Sequence, residues 1–121
     1  MLFDLDEKQL AKIPYPETYQ KLSILTAVEM GLIKEALNKK IEGNEIHTAG
    51  WMPGKDWTST PFQPIYEKAA HRDFNLAAKL FGLIVYEVFM EHEEKWYSLR
   101  ADKDGVPIGS RTYFKPTKSD V

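Results

Sequence analysis

The chain has 121 residues, 43% hydrophobic and 28% charged, a composition that suits one globular domain around a single core rather than a disordered segment. Its net charge of −2 offers no positive field to gather nucleic acid, and the lack of cysteine removes disulfides, thiolate metal cages and a cysteine nucleophile. The acidic start MLFDLDEKQL is unlike a secretory leader, and the apolar run 80–90 is interrupted by Glu87 and too short to span a bilayer. The expectation is therefore a soluble, cytoplasmic protein with no membrane partner.

Taken in chain order, residues 3–13 fit a short amphipathic helix, with Leu2, Leu5, Leu10 and Ile13 as its apolar positions and Asp4 or Asp6 as its cap. Pro14 ends it, and Pro16 is placed to open the next helix. Residues 17–41 are predicted helical, with Leu22, Leu25, Val28, Leu32, Ala36 and Leu37 forming one apolar stripe. Lys34, Lys39 and Lys40 fall late, where they suit the negative end of the helix dipole. Gly31 is a propensity penalty in the middle of this helix, and a closely packed neighbour would account for it.

Residues 45–51 suit a short strand, followed by a loop turning at Pro53-Gly54. Thr60-Pro61 reads as the start of a short helix through Ala70, and Asp73 as the cap of the next one. Gly82 is expected to end that helix. Residues 83–90, LIVYEVFM, are then predicted as a buried strand, because Ile84, Val85 and Val88 are β-branched. A turn at 92–94 leads to a strand at 95–101, and Asp104-Gly105 signals a hairpin into a strand at 106–114. Residues 116–121 form a polar, flexible tail. The predicted fold is a single α+β domain, 1–121, in which N-terminal helices pack on a C-terminal antiparallel β-meander of three to four strands.

No catalytic constellation, metal-ligand spacing or cofactor signature emerges, so a catalytic role is disfavoured. The three histidines, His47, His71 and His92, are isolated in sequence. Glu67 and His71 share a helical spacing of four, but no third ligand is signalled. The run Glu91-His92-Glu93-Glu94 could hold a cation or simply form a solvated turn, and the turn is the simpler account. Arg100 and Arg111 fall on neighbouring predicted strands, near Tyr97 and Tyr113. An RNA-binding face there is weaker than ordinary exposed charge, and nucleic acid is not the expected partner.

The most unusual stretch is the loop containing Trp51 and Trp57. It either plugs the core, stacks on a flat ligand or meets a second copy of the chain. As a ligand site it would draw on Trp51, Lys55, Trp57, Gln63 and Tyr66, with His47 or His71 for proton transfer. GWMPGKDWTSTPFQPIYEKA (50–69) and FGLIVYEVFMEHEEKWYSL (81–99) resemble small bacterial mobile-element proteins of the integron gene-cassette type. That resemblance implies an α+β fold and oligomerisation, and no chemistry. The functional expectation is a small non-catalytic binding protein that forms a homodimer through aromatic surfaces, with a small molecule or another protein as a possible partner. The alternative is a ligand-binding domain or small enzyme built on the 51–57 loop.

Overall fold

A computed structural model describes residues 1–41, 46–48, 60–103 and 106–115, with the backbone alone for 46–48, 99–103 and 106–112. The elements in chain order are β1 (Leu2–Phe3), α1 (Pro16–Tyr19), a 3₁₀ turn (Gln20–Ile24), α2 (Ala27–Ile41) and β2 (Ile46–Thr48). A π-helical turn (Ile65–Ala69), α3 (Phe74–Glu91), β3 (Trp96–Lys103) and β4 (Val106–Phe114) complete them. The chain is α+β.

The sheet is mixed rather than an antiparallel meander. Its strand order is β1-β3-β4-β2. β3 and β4 pair antiparallel as expected, the last pair being Lys103 opposite Val106. β1 instead lies parallel to β3, with Leu2 opposite Trp96 and Phe3 opposite Tyr97. The short strand β2 adds antiparallel to the far side of β4.

Residues 3–13 do not form a helix. The Asp4 carboxylate accepts hydrogen bonds from the Asp6 and Lys8 amides, each at 2.9 Å, and so closes a tight turn instead. Leu2 is fully buried and its carbonyl accepts from the Leu10 amide at 2.7 Å, which fixes this turn against the sheet edge.

Residues 83–90 are helix, not strand. The Asp73 side chain caps α3 as expected, accepting from the Leu76 amide at 3.2 Å. The helix then runs through Gly82 to Glu91. A fully buried helix and a fully buried strand show the same unbroken apolar run, so periodicity cannot separate them. Tertiary packing decides here. Phe89 stacks on Tyr113 (4.2 Å between centroids) and meets Trp96 edge-on at 4.8 Å, joining α3 to the sheet. Phe62 packs edge-on against Phe81 at 5.3 Å and ties the 60–70 segment to the same helix.

The predicted helix over 17–41 is broken once, at Leu25, where the backbone is extended. Thr26 restarts it through a reciprocal box. The Glu29 amide donates to the Thr26 hydroxyl and the Thr26 amide to the Glu29 carboxylate, both at 3.0 Å. The break shifts the helical phase and splits the predicted stripe. Leu22 and Leu25 stay buried, and α2 turns Ile33, Leu37 and Ile41 inward. Val28 and Leu32 are left facing water.

Candidate functional site

The residues expected to form a ligand site are described only in part. Trp51, Lys55 and Trp57 lie outside the described residues. His47 falls on β2, its backbone opposite Tyr113 of β4. Gln63 and Tyr66 sit on the 60–70 segment, Gln63 with its amide donating to the Thr60 carbonyl and Tyr66 packed against the core.

His71 is exposed and lies beyond the end of that segment, in a left-handed backbone conformation shared with Arg72. The helical spacing that would pair it with Glu67 is therefore lost. Glu67 instead forms a 2.9 Å ion pair with Arg72. The acidic run 91–94 is divided between two lysines, with Glu91 on Lys34 and Glu94 on Lys115, each at 2.9 Å. Among the described residues no three His, Asp or Glu side chains assemble as a metal site. Arg100 and Arg111 are direct cross-strand partners in the backbone register.

Two features stand out in their place. The first is a polar cluster where α1, α2 and α3 meet. The Tyr19 hydroxyl donates to Glu87 Oε2 at 2.5 Å, while Lys34 Nζ lies 2.5 Å from Glu87 Oε1 and 2.9 Å from Glu91. Desolvation and the hydrogen bond to Glu87 push the Tyr19 phenol well above its ordinary pKa. Burial works against the Lys34 ammonium, yet the two carboxylates outweigh it and raise its pKa. One ammonium is shared between the two carboxylates, and together with the Tyr19 hydrogen bond it ties the three helices to one another. Its sequence signal is the Glu87/Glu91 spacing of four, which becomes meaningful only once both lie on a helix.

The second feature is the outer face of α2. Val28 is 71% exposed and Leu32 51%, while Ile24 on the preceding 3₁₀ turn is 54% exposed. Ala27 and Gly31, also exposed, lie beside them on the helix. The charged residues bordering this face are already paired within the chain: Glu29 with Lys68 at 2.7 Å and Glu35 with Lys39 at 3.5 Å. An apolar patch with a neutralised rim is a surface suited to another apolar patch. No described helix is long and apolar enough to cross a membrane. The chain matches no family model, no curated protein and no solved structure.

Proposed function

We propose that the chain is a small non-catalytic interaction module that associates with a second copy of itself through the outer face of α2. The observation that carries this reading is the exposure of Val28 and Leu32 on a helix whose opposite side is fully used by the core. Exposed aliphatic side chains gathered on one helix face cost solvation free energy that burial against a partner recovers, at about 25 cal/mol per Å². The rim supports an identical copy as the occupant. With Glu29 and Glu35 each neutralised by its own lysine, two such faces meet without like-charge repulsion, and a strongly acidic or basic partner gains nothing.

The patch is modest beside the roughly 800 Å² per partner of a standard stable interface. The association is therefore expected to be weak, with a dissociation constant on the order of micromolar, and reversible on dilution. Size-exclusion chromatography with light scattering at tens of micromolar is the direct test. A dimer that dissociates on dilution is the expected outcome, and a strict monomer throughout would overturn the proposal.

A further inference from the structure

We propose that the cross-strand pair Arg100 and Arg111 is a binding site for a phosphate group, as the free ion or as a small phosphate monoester. The two residues are direct partners in the antiparallel register of β3 and β4, two residues along each strand from the Ser98–Tyr113 pair. Side chains alternate across a strand, so residues two apart share a face. Arg100 and Arg111 therefore belong to the same face of the sheet as Trp96, Ser98 and Tyr113, all of which are buried. That is the face on which α3 packs, through Phe89 against Trp96 and Tyr113.

Like charges directly opposite each other on a ladder are destabilising, and the cost grows as water is excluded. Such a pair calls for a counter-anion. The charged residues of α3 are Lys79, Glu87 and Glu91, and both carboxylates already bond Lys34. Glu94, at the approach to β3, pairs with Lys115. Asp102 is the next acid along β3. A register shift after Arg100 sets it opposite Pro107, two residues past the Gly109 that would continue the row. One carboxylate against two guanidiniums still leaves a positive charge unmatched. A guanidinium presents a planar fork that grips phosphate through two parallel hydrogen bonds, and two of them suit the roughly two negative charges of a phosphate monoester at neutral pH. A nucleic-acid backbone needs a run of cations, which a chain of net charge −2 does not favour, so a single phosphate group is the ligand. This site is separate from the α2 face and needs no second copy of the chain.

Inorganic phosphate and phenyl phosphate, each titrated against the full chain by scanning calorimetry at an ionic strength fixed with sodium chloride, test the site. The melting temperature should rise by roughly 4–6 °C once the anion reaches about ten times its dissociation constant. A larger response to phenyl phosphate assigns the site to an ester, and an equal one to the free ion. Arg100→Gln and Arg111→Gln should each weaken the anion about ten- to a hundredfold. In anion-free buffer both should melt no lower than wild type, because each removes a like-charge contact. Arg100→Lys, which keeps the charge and loses the fork, should retain part of the response. Glutamine variants that melt lower than wild type in anion-free buffer, yet respond to phosphate as it does, would show the arginines paired within the chain and overturn the site. So would a wild-type chain that does not respond to either anion. An equal loss of response in Lys39→Gln, an exposed lysine on α2, would reduce the effect to general screening and overturn the site as well.

Discussion

Helix α3 buries apolar residues on almost every side, from Ala77 and Leu80 through Phe89, against helices on one flank and the sheet on another. Helix α2, nearly as long, buries only Ile33, Leu37 and Ile41 and leaves Val28 and Leu32 in water. Both helices contain a glycine whose missing Cβ has free space around it, Gly82 in α3 and Gly31 in α2. The contrast separates apolar residues that the fold consumes from apolar residues that it leaves over. Hydrophobic content by itself does not make that distinction. The helical phase does, because past the extended residue at Leu25 two members of the predicted core stripe, Val28 and Leu32, face water while Leu22, Leu25 and Leu37 stay buried.

The strongest test of the contrast is to truncate one residue from each helix. Phe89→Ala removes the ring that stacks on Tyr113 and meets Trp96, and should cost about 3–5 kcal/mol of folding stability. Val28→Ala, measured by the same urea denaturation at high dilution, should change it by no more than about 0.5 kcal/mol. A cost above that range for Val28→Ala would mean that this face is part of the core after all.

The polar cluster where α2 joins α3 gives the next effect. Lys34→Met leaves the Glu87 carboxylate, 14% exposed, held only by the Tyr19 hydroxyl. The loss should be about 1–3 kcal/mol. The double variant with Glu87→Met should recover part of it, because both charges then leave together. A double-mutant cycle with simply additive losses would show that the pair is not coupled.

Much of the second half of the fold is legible in the residues. The Asp73 cap, the antiparallel pairing of β3 with β4 and the strand 106–114 all follow from local chemistry and lie where that chemistry puts them. Residues 83–90 mislead because β-branched residues in a wholly buried segment satisfy a strand or a helix equally well, and the stack of Phe89 on Tyr113 is invisible in one dimension. The break at Leu25 has a sequence signature, the Thr26-to-Glu29 capping box, and recognising it would have moved Val28 and Leu32 out of the predicted core. Gly31 suggests a closely packed neighbour in the sequence, but among the described residues none lies within 4 Å of where its Cβ would be, so that expectation fails. The parallel pairing of β1 depends on a contact across more than ninety residues, between Met1 and Trp96, that no local pattern encodes.

The two glycines allow a finer comparison. Gly31→Ala and Gly82→Ala should each stabilise the isolated chain by about 1 kcal/mol, since alanine is the better helix former and the added methyl group meets nothing. On self-association they should part, with Gly31→Ala weakening the dimer measured by sedimentation velocity and Gly82→Ala leaving it unchanged. Equal effects of both on the dimer would dissolve the distinction between the two helices.

The smallest effect belongs to the end of α3, where the helix stops at His92 and hands the chain to β3. The His92 Nδ1 accepts a hydrogen bond from the Glu94 amide at 3.1 Å, and the ring meets Trp96 edge-on, so the fold uses the neutral imidazole. Burial lowers its pKa. Glu94 opposes that shift, the Met1 ammonium and Lys115 add to it, and Glu93 opposes it again. The unfolded chain thus binds a proton more readily than the folded one just below the ordinary histidine range near pH 6.5. Stability should rise with pH through that window and fall away on acidification, levelling off once the folded state is protonated as well. In His92→Gln the step should vanish from the pH profile of the unfolding free energy between about pH 5 and 7. Losses at lower pH should persist in that variant, because they belong to Glu7, Glu29 and Glu94, whose carboxyls are held below their usual range by Lys95, Lys68 and Lys115. Identical profiles for the two proteins across that window would show that the junction between α3 and the sheet does not depend on the charge of His92.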